Sequence, residues 1–143
     1  MTKESQARLA LMLRKVSLFK GLKDKQLKTI AASGKELVYT PGQVIVEQGS
    51  IGVGFYLILE GTVEVRRGKK TLAELKTGDF FGEMSLFDEQ PRSASVLALT
   101  ETRCLGITSW SFTGMIRSDT DIALNMMKEM AVRLRASNKA LAE

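Results

Sequence analysis

Glu83 and Arg92, nine residues apart, are the side chains in this chain best suited to holding a small polar ligand. An arginine guanidinium presents a planar fork of donors that matches the oxygens of a phosphate. A carboxylate beside it adds nothing to the binding of an anion alone, but it accepts hydrogen bonds from sugar hydroxyls. Together the two groups indicate a sugar phosphate or a nucleotide as the ligand.

The backbone next to Glu83 supports the same interpretation. Gly82 admits a backbone conformation, or a close approach, that a side chain would block. Residues 83–87 fit one helical turn, whose first N–H groups point towards an anion. The alternative is purely structural, because Glu83 and Arg92 also fit a surface salt bridge that closes a loop and adds little stability. From the residues alone, both interpretations stay open.

The residue types exclude much of the common catalytic repertoire. The chain has no histidine and one cysteine, Cys104. Without histidine there is no Ser-His-Asp or Cys-His catalysis, no histidine general base and no zinc site of the Cys/His type. A single cysteine cannot form an intrachain disulfide, which favours a reducing compartment. Cys104 falls in a strand-like run, so we expect it in the core. We predict no metal, no resident cofactor and no enzymatic activity.

The elements that must position these residues fall into three segments of one domain, as 143 residues predict. Residues 1–34 and 109–143 have helical patterns, and residues 35–108 have short strands separated by Gly and Pro. The regular spacing of these runs predicts an antiparallel sandwich or barrel, so the fold class is mainly β with flanking helices. The predicted strands are Lys35–Thr40, Gln43–Gln48, Phe55–Leu59, Thr62–Arg67, Thr71–Lys76, Ser95–Leu99 and Thr102–Thr108.

The flanking helices carry two informative patterns. A short helix over Asp24–Ser33 has Asp24 as a possible N-cap, with an apolar side formed by Leu27, Ile30 and Ala31. The C-terminal helix has a seam with the alternating spacings of a heptad repeat. The seam residues are Ala123, Met127, Met130, Leu134, Ser137 and Leu141. This seam packs either on the chain's own barrel or on a partner helix, and the sustained spacing favours the partner.

The net charge of +5 is unevenly distributed. Residues 1–35 hold nine basic and two acidic residues, whereas residues 36–143 hold twelve basic and fourteen acidic ones. A basic N-terminal segment is compatible with contact to nucleic acid or to an acidic partner, but a solvated helix face is the favoured explanation. No run reaches the roughly 20 apolar residues of a membrane helix. The N-terminus lacks a signal-peptide pattern, so we expect a cytoplasmic location.

Residues 81–96 also resemble a known motif. They read Phe81-Gly82-Glu83-Met84-Ser85-Leu86, a four-residue loop, and Pro91-Arg92-Ser93-Ala94-Ser95-Val96. This stretch is similar at every position to the phosphate-binding cassette of cyclic-nucleotide-binding domains. The family includes the sensor domains of bacterial catabolite activators and of protein kinase A regulatory subunits. The resemblance extends over residues 17–141, and it implies an antiparallel double-stranded β-helix, a jelly-roll-like barrel, with N-terminal helices and a long C-terminal helix.

The resemblance assigns a role to each cassette position. Glu83 would accept hydrogen bonds from the ribose 2′-hydroxyl, and Gly82 would let the backbone approach the ribose. Arg92 would pair with the cyclic phosphate. Its predicted helpers are Ser93, Ala94 and the backbone amides around Met84 and Ser85. The predicted apolar wall of the site consists of Val63, Leu72 and Ala73.

The same resemblance implies contacts with the base from the C-terminal helix, partly across a dimer. The corresponding residues here are Arg133, Ser137 and Asn138. Resemblance to the bacterial activators over the whole chain favours cAMP over cGMP, although the hydroxyl of Ser93 suits either ligand.

Two features depart from the family pattern. Ile51 and Val53 stand in a loop, residues 49–54, where the family often has acidic residues, so this loop is expected to contact a partner or the helices. The activators continue into a helix-turn-helix domain after the C-terminal helix. This chain ends at Glu143, and so we expect no sequence-specific DNA binding of that kind.

The predicted function is therefore a stand-alone cyclic-nucleotide sensor. Binding would order the cassette and move the C-terminal helix or change dimerisation, with a homodimer or an unidentified effector protein as partner. The alternative is a protein-interaction module on the same scaffold that has lost nucleotide binding.

Overall fold

The computed structural model describes residues 3–52, 54–88 and 90–142. The chain divides into two compact units. Residues 33–112 form a β unit, and the described parts of residues 1–32 and 113–143 form a helical unit. No helix in the described ranges is long and apolar enough to cross a membrane.

The β unit consists of two antiparallel four-stranded sheets. The first sheet has the order β1 (Lys35–Tyr39), β8 (Thr102–Thr108), β3 (Gly54–Glu60), β6 (Phe80–Phe81). The second has the order β2 (Val44–Val46), β7 (Ser95–Ala98), β4 (Thr62–Arg67), β5 (Lys70–Lys76). All pairings are antiparallel, and the strand order is that of a double-sheet jelly roll. The predicted fold class is confirmed, as two open sheets and not as a closed barrel.

The inner faces of the two sheets supply a shared core. Ile58 and Cys104 come from the first sheet, and Val63 and Val96 from the second, with Phe81 beside them. Strand β3 is apolar almost throughout because its residues are covered on both faces. The cysteine lies in the core as predicted, and burial raises the pKa of the Cys104 thiol to about 11. This thiol is therefore protonated and structural.

The seven predicted strands are present with ends that differ by a few residues, and one strand was missed. Strand β6 has only two residues, and they pair with Tyr56 and Leu57 of β3. A two-residue strand leaves no alternation to detect in a sequence. Its importance is positional, because β6 delivers the chain to Gly82.

The helical unit contains α1 (Lys3–Leu13), a 3₁₀ turn (Ser17–Phe19), α2 (Asp24–Ala32) and α4 (Thr120–Ala142), whereas α3 (Ser109–Ser118) begins in the β unit. Asp24 is the first residue of α2 and not its N-cap. The N–H of the preceding Lys23 donates to the side-chain carbonyl of Gln26 (2.9 Å), the reciprocal half of a capping box. The predicted apolar side is confirmed, since Leu27, Ile30 and Ala31 are fully buried.

Helix α4 buries one face and exposes another. Ile122 and Met126 are buried, and the side-chain amide of Asn125 donates to the carbonyl oxygen of Lys20 (2.8 Å). The heptad seam lies next to this buried face. Its Met130 is half-buried, and its Met127, Leu134 and Leu141 are exposed.

Candidate functional site

A pocket of about 330 Å³ lies in the β unit, where the cassette crosses the second sheet. Its volume is at the lower end of the range of small-molecule sites. Valines from β2, β4 and β7 form its apolar wall, and the two arms of the cassette form its polar side. The lining residues are Val46, Val65, Phe81, Gly82, Glu83, Met84, Ser85, Asp88, Gln90, Pro91, Arg92, Ser93, Ala94 and Val96.

Gly82 makes the turn that places Glu83 in this pocket. Its φ is +81°, in the left-handed region that glycine adopts without strain. A Cβ here would lie 2.8 Å from the carbonyl oxygen of Gly54 and would also collide with Nη1 of Arg92. Both predicted reasons for a glycine at this position therefore hold. The chain then enters a 3₁₀ turn over Glu83–Leu86, in which the N–H of Ser85 donates to the carbonyl oxygen of Gly82 (3.0 Å).

Arg92 is held by two residues of β3. Its Nη2 donates to the carbonyl oxygen of Gly54 (2.8 Å), and its Cζ lies 6.0 Å from the ring centroid of Tyr56. Tyr56 in turn stacks on Phe81, with 5.0 Å between the ring centroids. Across the described ranges, we find no ion pair that includes Arg92. The structure thus positions the guanidinium with a carbonyl group and an aromatic ring.

One nitrogen of this guanidinium is left unsatisfied. Nε of Arg92 is buried and has no hydrogen-bond partner among the described residues. Burial lowers the pKa of the Arg92 guanidinium, and the nearby Tyr56 opposes this shift. A partly buried cation with an unpartnered donor is costly for the protein alone. An anion in the pocket would offset that cost.

A second segment, residues 49–52, fixes the backbone of Arg92. The N–H of Gly49 donates to the carbonyl oxygen of Arg92 (2.8 Å), and the N–H of Arg92 donates to the carbonyl oxygen of Ser50 (2.7 Å). Ile51 forms a β-bridge with Pro91. Gly52 lies directly against the guanidinium, because a Cβ there would be 2.5 Å from Nε of Arg92. Ile51 is exposed, and Val53 lies outside the described residues.

Most of the predicted site residues are brought together. The predicted residues in the lining are Gly82, Glu83, Met84, Ser85, Arg92, Ser93 and Ala94. The carbonyl oxygen of Ser93 also accepts a hydrogen bond from Nε of Arg67 (3.1 Å), which holds the second arm of the cassette against β4.

The β4 valine that lines the pocket lies two positions after the one that was predicted. Val65 lines the pocket, whereas Val63 lies on the same face but is fully buried in the core. Ala73 pairs with Val65 on the neighbouring strand and so shares its face, while Leu72 is exposed at an irregularity in that pairing. Neither is part of the pocket lining among the residues described. Contact of these three residues with a ligand stays a prediction.

The predicted base contacts belong to the other unit. Arg133, Ser137 and Asn138 lie on α4. The guanidinium of Arg133 donates to the hydroxyl of Ser17, and Ser137 and Asn138 are exposed. Their contact with a base also stays a prediction.

Sequence reasoning missed the residues that support Arg92 from outside the cassette. These are Gly52, Gly54 and Tyr56. The glycines between residues 49 and 54 signalled a turn, but nothing in their spacing indicated that the turn faces Arg92.

Comparisons with known proteins give the family of the chain. The family model described as "Cyclic nucleotide-binding domain" matches residues 36–119. The "Cyclic AMP receptor protein" of Thermus thermophilus is 34% identical over 129 residues, which cover 87% of this chain and 60% of that protein. The "cGMP-dependent protein kinase" of Plasmodium berghei is 36% identical over 87 residues, 61% of this chain and 10% of that protein.

A solved structure gives the same result. The N-terminal domain of a transcriptional regulator from Streptomyces coelicolor A3(2) has a TM-score of 0.85 and 30% identity. The similarity covers 90% of this chain and 93% of that domain. The chain thus resembles the whole of that N-terminal domain, but it spans 60% or less of the length of the two curated relatives described above.

Proposed function

Since the chain belongs to the cyclic nucleotide-binding domain family, we propose that it is a sensor that binds cAMP in the pocket around Arg92. The observation that carries this proposal is the half-buried guanidinium of Arg92, which lines the pocket and has no ion-pair partner among the described residues. A cyclic phosphate would supply the negative charge that this guanidinium lacks. The protein thus carries a preformed place for one phosphate.

The remaining groups of the pocket suit the rest of a nucleotide. Glu83 lies on the opposite arm of the cassette from Arg92, where its carboxylate can accept a hydrogen bond from the ribose 2′-hydroxyl. Ser93 follows Arg92 in the lining and offers a hydroxyl donor to the phosphate. The valine wall, Val46, Val65 and Val96, covers the apolar faces of the sugar and the base. Contact of the base with Arg133, Ser137 and Asn138, which the family resemblance implies, stays a prediction.

The preference for cAMP rests on the extent of the similarity. The match to the cyclic AMP receptor protein covers 87% of this chain, and the match to the cGMP-dependent kinase covers 61%. We therefore place cAMP before cGMP.

An aromatic contact couples the conformation of the cassette to α3 in this proposal. Phe87 follows the 3₁₀ turn and meets Phe112 of α3 edge to face, with 6.0 Å between the ring centroids. A cassette that rearranges around a phosphate would move Phe87, and hence α3 and the helix α4 that follows it. The equilibrium of α4 between two arrangements would then depend on the ligand.

The exposed seam of α4 is the proposed output surface. Met127, Leu134 and Leu141 are exposed at heptad spacing, which suits packing against a second copy of the helix. We propose a homodimer through this seam, with an effector protein as the other candidate. The cytoplasmic location, the stand-alone character and the absence of sequence-specific DNA binding stay predictions.

A second candidate function is an interaction module without a ligand. The exposed Ile51 favours it, because this side chain stands at the mouth of the cassette, where the family often has acidic residues. In this alternative, the Arg92 pocket would be filled by a group from a partner protein.

Calorimetric titration of the full chain with cAMP and, separately, cGMP tests the proposal. We expect cAMP to bind with a dissociation constant in the micromolar range or below, about −8 kcal/mol or stronger. Tighter binding of cGMP would overturn the choice of nucleotide. No heat and no thermal stabilisation with either nucleotide would overturn the sensor function and favour the interaction module.

A further inference from the structure

A second pocket, of about 320 Å³, lies in the same β unit and shares no lining residue with the first, as far as the chain is described. It lies on the face of the first sheet that carries Cys104, because Leu37 pairs with Cys104 and Tyr56 pairs with Gly106. Its rim includes the start of α3, where Trp110 is 65% exposed. Nothing in the proposed nucleotide site uses this space.

The side chains of Leu37 and Tyr56 form an apolar wall of the second pocket. They close over the backbone of Gly106, because a Cβ there would lie 3.1 Å from Cδ1 of Leu37 and 3.8 Å from Cε2 of Tyr56. The ring of Tyr56 offers a surface on which a planar ring can pack. Trp110 at the rim supplies an exposed indole on which that ring can stack.

The charge at the pocket is positive. Lys35 is an exposed lining residue, and none of the ion pairs found among residues 3–52, 54–88 and 90–142 includes it. The pocket lining contains no acidic residue in the described part of the chain. An acidic group on an aromatic ligand would therefore meet a cation at the edge of an apolar surface.

We propose that this second pocket binds a small planar aromatic carboxylate, with its ring between Trp110 and the side chains of Leu37 and Tyr56 and its acidic group at Lys35. The two pockets lie on the same face of the first sheet and meet at β3, because Tyr56 of the second pocket pairs with Phe81 of the first. Gly54 lines the second pocket, and its carbonyl oxygen holds Nη2 of Arg92 (2.8 Å). Tyr56 also lines the second pocket, and its ring lies 6.0 Å from Cζ of Arg92. A ligand that shifts β3 here changes the position of Arg92, so the second site regulates the first.

Trp110 makes the binding directly observable. It is the only tryptophan in the sequence, so the indole N–H gives one resonance in a ¹H–¹⁵N spectrum of the full chain. The probe is 2-naphthoate, and the matched neutral probe is 2-naphthylmethanol. We expect 2-naphthoate to shift the indole resonance saturably below about 1 mM, and the neutral probe to bind at least about fivefold more weakly. No saturable shift, or equal binding of both probes, would overturn the proposal.

Variants locate the site by calorimetry. Trp110→Ala and Lys35→Ala are each expected to weaken the binding of 2-naphthoate at least about fivefold, because each removes one group of the proposed contact. Lys70→Ala is the matched control, since Lys70 is an exposed lysine at the start of β5 in the other sheet. Thermal melting of each variant checks that it is folded. An equal loss in Lys70→Ala and Lys35→Ala would mean nonspecific attraction and would overturn the assignment.

The regulatory part rests on the proposed function and is tested separately. The titration with 2-naphthoate is repeated with cAMP at saturation, and the affinity is expected to change at least about fivefold in either direction. An unchanged affinity in a chain that binds cAMP would overturn the regulation but not the site. Because the first titration contains no nucleotide, a chain that fails to bind cAMP leaves the test of the second site intact.

Discussion

Nη2 of Arg92 donates to the carbonyl oxygen of Gly54 at 2.8 Å, which joins the cassette to a strand 38 residues earlier in the chain. The contact places the guanidinium before any ligand arrives. It also leaves Nε of the same side chain buried without a partner among the described residues. Preorganised donors that lack an acceptor are typical of sites that bind an anion tightly, because the ordering cost is met during folding.

Glu83 provides a test of the ribose contact. If its carboxylate accepts the 2′-hydroxyl, Glu83→Gln should weaken cAMP about tenfold, the loss of roughly 1.5 kcal/mol from a hydrogen bond to a charged group. The same substitution should barely change the binding of 2′-deoxy-cAMP, which lacks that hydroxyl. Calorimetry with both nucleotides measures the difference, with Glu74→Gln on β5 as the control. If Glu83→Gln weakened the binding of both nucleotides equally, the ribose 2′-hydroxyl would not contact Glu83.

Gly82→Ala separates backbone strain from steric collision. A left-handed φ costs a residue with a Cβ about 1–2 kcal/mol, and here the Cβ also meets the carbonyl oxygen of Gly54 at 2.8 Å. Gly78→Ala is the matched control, because Gly78 has a φ of +93° but no described heavy atom within 4 Å of its Cβ position. Urea unfolding should therefore show a larger loss of stability at position 82. Equal losses at the two positions would contradict the collision.

Cys104 predicts a specific dependence on alkaline pH. Its pKa is raised to about 11 by burial, so the folded thiol keeps its proton where the unfolded thiol has lost it. The resulting stability is fully present below the unfolded pKa and is lost as the pH rises through the folded pKa. We expect the stability difference between the native chain and Cys104→Ala to shrink between about pH 9 and 11, by an amount on the order of 2 kcal/mol.

The comparison of the native chain with Cys104→Ala is itself the control, because ionisable groups that do not interact with Cys104 are present in both chains and cancel in the difference. Tyr39 is an exception, since burial, Tyr56 and Cys104 together raise its pKa to about 12. A difference that stays constant from neutral pH to pH 11 would show that the thiol does not titrate as its burial requires.

The seam of α4 can be tested with two substitutions of nearly equal exposure. Leu134 lies in the seam and is 62% exposed, whereas Val132 is 61% exposed but lies outside the seam. In a homodimer through the seam, Leu134→Asp should produce a monomer, because it would bury an unpaired charge at the interface. Val132→Asp should leave the dimer intact. Sedimentation equilibrium distinguishes these outcomes, and a native chain that is monomeric with bound cAMP would contradict the proposed dimer.

The sequence was most informative where the contacts are local. Gly82, Glu83 and Arg92 lie within one loop, so residue chemistry and a short motif suffice to predict that they share a pocket. The support of Arg92 by Gly54 and Tyr56 could not be predicted, because it depends on how a distant strand pairs with the cassette. The predicted helix start at Asp24 agrees with the structure, but the N-cap is the preceding residue, Lys23, whose carbonyl oxygen accepts from the N–H of Leu27. A difference of one residue is within the usual uncertainty of helix ends.

The apolar wall shows a second limit of sequence reasoning. Alternation along β4 predicts which side chains face inwards, but Val63 and Val65 face the same way and alternation does not distinguish them. Only the packing decides that Val63 fills the core and Val65 lines the pocket. Strand β6 was missed for a related reason, since two residues are too few to show a period.

The central claim is that Arg92 holds the phosphate of a cyclic nucleotide, and its most direct test is the affinity of the Arg92→Ala chain for cAMP. Truncation removes one partner of a buried charge pair, so binding should weaken by at least about 2 kcal/mol, roughly thirtyfold. Arg103→Ala is the control, because Arg103 is in the same unit and its ion pairs are with Glu36 and Glu60 at the surface. We predict native affinity in Arg103→Ala and a loss of thirtyfold or more in Arg92→Ala. Native affinity in a folded Arg92→Ala chain would contradict the account.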